Sequence, residues 1–200
     1  MANDSLPPIS EILSNPRELV TTLSILFEPS PILHSTLAPQ LSSALIQKPI
    51  ITSYNDLIDV AINTINATWN DTLRTQFVAG HPRIGESHNL SNLSAIEQGA
   101  STSTTPPDVL RRLAHLNACY ERTYPGLRYI TYVNGRSRAA IVKEIEDVLG
   151  IEHSLEAGNP PLEKFEAVDV GGSKWKSELN RATQDVGRIA KSRLKALAAE

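Results

Sequence analysis

His81, Glu97 and Arg193 are the side chains best placed in type and context to move protons and hold an anion. An imidazole titrates near neutrality, so His81 can give or take a proton without large tuning. Pro82 follows it, and the residue before a proline is pushed out of helical backbone angles, which puts His81 at a helix end where a side chain can face a pocket. A capping or surface histidine has the same signature, and the His-Pro pair alone does not separate the two. Ser94-Ala95-Ile96-Glu97-Gln98 has the spacing of a capping box, in which Ser94 accepts from the third helical N–H and Glu97 reaches back. Its other reading makes Glu97 the carboxylate that orients or deprotonates His81. Arg193 is the sharpest anomaly. With residues placed about 100° apart on a helix, Leu179, Ala182, Val186, Ile189, Ala190 and Leu197 form one stripe, Arg181, Arg188, Lys191 and Lys195 lie opposite, and Arg193 falls within the apolar stripe. A buried guanidinium requires an anionic partner, either an internal carboxylate or a bound one, unless the side chain snorkels to water.

Other patterns carry less chemistry. Gly172-Ser173-Lys174 lacks the spaced glycine of a phosphate loop, and His81 and His88 do not have the four-residue helical spacing of a zinc site, so neither a nucleotide nor a metal is implied. Cys119 is the sole cysteine, which excludes an internal disulfide and a cysteine metal cluster. Neither Ser94 nor Cys119 is read as a nucleophile beside a histidine, and Cys119 is assigned to core packing.

These residues must be positioned by helices. Asn15-Pro16-Arg17-Glu18 reads as an N-cap, a first-turn proline and a capping carboxylate, opening a helix to about Phe27. Ser30-Pro31 starts another apolar face, Ile32, Leu33, Leu37, Leu41 and Leu45, which Pro39 splits into two short helices. Tyr54 to Phe77 predicts a helical pair broken near Trp69-Asn70, delivering the chain to Gly80-His81-Pro82. The Ser-, Thr- and Asn-rich stretch from Glu86 to Pro107 is loop-like except for a helix over Ser94 to Ala100. Pro107 opens a strong helix with Val109, Leu113, Leu116, Tyr120 and Tyr124 on one stripe, ended by Pro125-Gly126. Leu127 to Val133 is the sole strand-like run and has no second strand to pair with, so it is expected to cross the core extended. Helices from Ser137 to Leu149 and from Trp175 to Ala198 flank a loop insertion near 158–173. The expectation is an all-α, single-domain bundle of seven or eight helices with one short extended segment, spanning 1–200.

Bulk properties narrow the partners. At 200 residues the chain fits one domain. With 40% hydrophobic and 20% charged residues, and no stretch near the roughly 18–20 apolar residues of a membrane span, membrane anchoring is set aside. A net charge of -3 argues against nucleic-acid binding. The expected partner is a small anionic molecule. The amino-terminal residues Met1-Ala2-Asn3-Asp4-Ser5 do not read as a secretion signal, and Leu197-Ala198-Ala199-Glu200 is not a Ser-Lys-Leu peroxisomal address, so an intracellular location, cytoplasmic or peroxisomal, is expected.

Taken together, His81-Pro82-Arg83-Ile84-Gly85, Ser94-x-x-Glu97-Gln98, Leu116-Asn117-x-x-Tyr120, Gly126 to Ser137 and Ile189-Ala190-x-x-Arg193-Leu194 resemble the OHCU decarboxylase family, where OHCU is 2-oxo-4-hydroxy-4-carboxy-5-ureidoimidazoline. The blocks match in order and approximate spacing from about Leu6 to Leu197. The resemblance implies an all-α fold, often a homodimer, that converts OHCU to (S)-allantoin in urate breakdown without a cofactor. By position it implies His81 as the acid–base residue, Glu97 as its partner, Ser94 and Gln98 as hydrogen-bonding substrate ligands, Arg193 as the ligand of the anionic group, Pro82 as a pocket wall and Ile130-Thr131 as the backbone that contacts the imidazoline ring. The chain departs from the family pattern at Pro125-Gly126-Leu127-Arg128-Tyr129, where Phe-Gly-Phe-Pro-Phe is usual, and at Lys48-Pro49-Ile50, the counterpart of an Arg-Pro-Phe block. The alternatives are a diverged member acting on a related ureido or hydantoin acid, and a non-enzymatic helical interaction module.

Overall fold

A computed structural model describes residues 6–47, 51–86, 90–98, 105–153 and 158–197. Lys48-Pro49-Ile50 and His88 lie outside the described residues. Helices dominate, and no strand occurs among the described residues. The chain divides into two compact units, residues 1–81 with 180–200 and residues 82–179.

The first unit is built on α1 (Ile9–Ser14), α2 (Pro16–Phe27), α3 (Ala38–Gln47), α4 (Tyr54–Thr68), α5 (Asp71–Ala79) and the part of α9 (Ser173–Leu197) from Asn180 onward. Asn15 caps α2 through its side chain, which accepts from the Arg17 N–H, and Pro16 occupies the first turn, where its missing N–H costs nothing. The expected break at Pro39 does not occur. A π turn, Leu33–Leu37, runs directly into α3, with the Ala38 N–H reaching back to the Leu33 carbonyl. Widening one turn relieves the crowding that Pro39 brings, so the helix continues and its apolar face stays in register. Ser53 and Asp56 form a reciprocal capping box at α4, and Asn70 caps α5 after the predicted break. Leu23, Leu26, Phe27, Leu37, Leu57, Ile65, Val186 and Ala190 are buried in this core.

The second unit holds α6 (Asn92–Glu97), α7 (Pro107–Thr123), α8 (Arg138–Leu149) and α9 up to Leu179. α7 and α8 pack on each other, and Val109, Leu113, Leu116 and Tyr120 of α7 and Ile141, Val142 and Ile145 of α8 are buried. Between them Arg112 pairs with the carboxylate of Glu146 at 2.8 Å, with both side chains buried. Residues 127–133 belong to no helix or strand, and Leu127, Tyr129 and Ile130 are buried. The 158–173 insertion carries one 3-10 turn, Leu162–Lys164, and is strapped to α7: the Val168 N–H donates to the Thr123 carbonyl at 2.9 Å and Arg122 Nε to the Phe165 carbonyl at 2.9 Å. Nine α-helices are present among the described residues where seven or eight are expected; α1, at six residues, is too short to display a face.

Candidate active site

In the first unit the chain reaches His81 through α5. Phe77, fully buried one turn earlier, is the hub of an aromatic cluster, with ring centroids 5.8 Å from Phe27, 5.9 Å from Trp69 and 5.6 Å from His81. α5 ends at Gly80, where an added Cβ would stand 2.9 Å from Cβ of Ser30, so only glycine lets the helix end approach the turn after α2 this closely. The His81 N–H then donates to the Val78 carbonyl at 3.1 Å. Its ring nitrogen Nδ1 lies 3.3 Å from the Phe77 carbonyl oxygen. A carbonyl only accepts, so this bond requires the proton on Nδ1 and leaves the basic lone pair on Nε2.

Arg193 is 2% exposed, as its place in the apolar stripe predicts, and its partner is internal. Its Nη2 donates to Glu28 Oε1 at 2.7 Å, and its Nη1 to the Ile25 and Leu26 carbonyls at 3.2 and 3.4 Å. The guanidinium therefore sits on the carbonyl end of α2, where the helix dipole favours a cation. Glu28, itself buried, follows the last residue of α2 with φ 65 and ψ 140. Burial, and next the positive charge of Arg193, lower the His81 pKa to about 4, against the opposing influence of the Glu28 carboxylate and of the Phe77 and Val78 backbone. His81 is neutral at pH 7.

In the second unit Pro82, half-buried, begins a turn that Gln98 braces. Gln98 Oε1 accepts from the Gly85 N–H at 2.8 Å and its Nε2 donates to the Arg83 carbonyl at 3.2 Å, while Asn117 Nδ2 donates to the Ile84 carbonyl at 3.0 Å. Two bonds leave the Gln98 amide one N–H and one lone pair in hand. Gly85 has φ 87, and an added Cβ would meet Leu113 at 3.0 Å. Arg83 grips Glu121 in a two-pronged pair of 2.6 and 3.0 Å, beside an open cleft of about 380 Å³ between this turn and α7.

The capping box expected at Ser94 and Glu97 is corrected by the structure. The cap of α6 is Ser91, whose hydroxyl accepts from the Ser94 N–H, so Ser94 and Glu97 stand within the helix, the first buried and the second half-buried. Gln98 closes the same helix. Ser94, Glu97 and Gln98 therefore share one short element. On the extended segment Ile130 and Thr131 are buried, and Glu144 of α8 holds that segment: its Oε1 accepts from Tyr129 Oη at 2.5 Å and from Thr131 Oγ1 at 2.6 Å, and Arg136 pairs with its other oxygen. These donors and the Arg136 charge outweigh burial and keep the Glu144 carboxyl below its usual range.

Within the first unit His81 and Arg193 come together electrostatically, and within the second Gln98 meets the turn after Pro82. The sequence reading did not find Glu28 or Glu144. A signal for Glu28 exists in Phe27-Glu28-Pro29, where a charged residue occupies a helix end that glycine usually takes. His115 stands one helical turn before Cys119, and their Nε2 and Sγ are 3.2 Å apart. This pair is not a nucleophile with its base: Nε2 of His115 bonds the Pro160 carbonyl at 2.8 Å, and burial raises the thiol to about 11. No group of three or more metal-ligating side chains occurs among the described residues.

A family model described as OHCU decarboxylase matches residues 14–159, which includes Glu28, the His81 turn, α6 and the extended segment but stops short of Arg193. No curated protein matches the chain. The match covers most of the chain, and with the all-α architecture it carries the conclusion that this protein belongs to the OHCU decarboxylase family, decarboxylases of urate catabolism.

Proposed function

We propose that this protein decarboxylates OHCU to (S)-allantoin without a cofactor, with His81 and Glu97 as the acid–base residues. The observation that carries this reading is the state of His81: its Nδ1 proton on the Phe77 carbonyl, and the ring kept neutral first by its burial and next by the Arg193 charge. A neutral imidazole kept in one tautomer has the protonation state a general base requires at physiological pH. The reaction needs one. As the bond to the carboxylate breaks, its electron pair passes into the imidazoline ring, whose nitrogen takes up a proton from water, and carbon dioxide leaves; His81 then takes the proton of the 4-hydroxyl as the carbonyl forms and returns it to one face of the adjacent ring carbon, which becomes the stereocentre. The ring accepts the electrons, so no pyridoxal or thiamine sink is required.

In this reading Arg193 supplies the positive charge that draws the substrate carboxylate, and Glu97 orients His81 or shares its proton traffic. Ser94 and the remaining donor of Gln98 bond the substrate, Pro82 walls the pocket, and the backbone of Ile130-Thr131 contacts the ring. The family resemblance supports these assignments and a homodimer, which sedimentation of the purified protein checks. The test is kinetic. Freshly generated OHCU should disappear far faster with the wild-type protein than in buffer, and His81→Gln and Glu97→Gln should each remove most of that acceleration while staying folded. Turnover no faster than buffer, or full activity in both variants, sinks the proposal.

A further inference from the structure

Glu28 stands out among the residues of the first unit because its backbone conformation is one that L residues rarely adopt. Only it and Asn134 have positive φ without being glycine among the described residues, and its ψ of 140 places it outside the left-handed helical basin in which Asn and Asp are tolerated. Pro29 accounts for the extended ψ, since a residue before proline is driven there. The positive φ has no such local cause, and a glycine would adopt it without strain. Strain of this kind persists where the surroundings over-determine it and clusters at functional sites.

What the strained residue gains is the placement of its carboxylate. Glu28 is 6% exposed, and its Oε1 lies 2.7 Å from Nη2 of Arg193. The same guanidinium is fixed on its other nitrogen by the Ile25 and Leu26 carbonyls of α2. A planar fork held on two of its nitrogens by one helix end has little freedom to rotate. Resting on the decarboxylase reading above, we propose that Glu28 is the positioning residue for the carboxylate-binding Arg193, and that the strained turn after α2 exists to aim this guanidinium. An entering carboxylate therefore meets a guanidinium already oriented, without paying for its reorganisation.

Glu28→Gly and Glu28→Gln separate this role from simple support of the fold. Glycine removes the carboxylate while suiting the backbone, and glutamine keeps an acceptor at the same reach without the charge. With OHCU as substrate, Glu28→Gly should raise KM at least about tenfold while kcat changes less than about threefold, and Glu28→Gln should fall between it and wild type. A purely structural role would reduce the amount of active enzyme and leave KM where it was. Thermal unfolding of Glu28→Gln, Arg193→Gln and the double variant should be non-additive. A KM within about twofold of wild type in both Glu28 variants, or strictly additive melting shifts, overturns the positioning role while the decarboxylase reading stands. Should Glu28→Gly fail to fold, Glu28→Gln decides by the same criterion. A wild-type protein without turnover overturns the decarboxylase reading and this role with it.

Discussion

Replacing His81 with glutamine removes one titrating group from the middle of the first unit and tests how strongly the fold holds that imidazole neutral. The groups acting on it are Arg193 of α9, Glu28 at the end of α2, and the Phe77 and Val78 carbonyls of α5, with burial the largest influence. The folded pKa is about 4 against 6.5 for the unperturbed side chain. The sign follows from proton uptake: between these values the unfolded chain binds a proton that the folded chain refuses, so stability declines as pH falls from 6.5 towards 4 and is unaffected by this group above 6.5. Each pKa unit is worth about 1.4 kcal/mol, so at pH 4.5 wild type should have lost roughly 2–3 kcal/mol that the variant does not lose. Urea unfolding at pH 7.5 and pH 4.5, followed by Trp69 fluorescence in a Trp175→Phe background, reads this in the first unit itself. Glutamine can still donate to the Phe77 carbonyl, which limits its own cost at neutral pH. Equal acid destabilisation of wild type and variant would refute the account of His81 as a group held neutral by burial and Arg193.

Three further outcomes follow from the second unit. Glu146→Ala leaves Arg112 buried without its carboxylate and should cost about 3–5 kcal/mol in urea unfolding at pH 7; a loss under about 1 kcal/mol would mean water or another group compensates. Gly85→Ala places a Cβ 3.0 Å from Leu113 at φ 87, and should cost more than about 1 kcal/mol and lower decarboxylation by displacing the turn that Gln98 braces. Cys119, buried and with its thiol raised to about 11, should resist a thiol-disulfide reagent at pH 8 in the folded protein and react fully in urea; rapid native labelling would contradict its assignment to packing.

Much of this architecture is legible in the sequence because its signals are local. The Asn15-Pro16 start, the break at Trp69-Asn70, the Pro107 start and the helix start near Ser137 each rest on side chains that act within one turn, and all stand where expected. Pro39 misleads because proline forbids a regular helical turn but permits a π turn, and only packing chooses between them. Ser91 and Ser94 are equally good caps by residue type; which one is used depends on which must be buried, and Ser94 is. Arg193 is legible as an anomaly because it interrupts an apolar stripe. Its partner is not, since Glu28 lies 165 positions away and nothing local in the sequence connects them. Glu144 hides for the same reason, as its donors come from a segment without regular structure.

The central claim is stereospecific decarboxylation of OHCU at a site centred on His81. Its most direct test is circular dichroism during urate breakdown by urate oxidase and hydroxyisourate hydrolase, with and without this protein. The account predicts rapid growth of the (S)-allantoin signal with wild type and slow, racemic allantoin with His81→Gln. An (S)-allantoin signal no larger with wild type than without it, or undiminished in the variant, would contradict it.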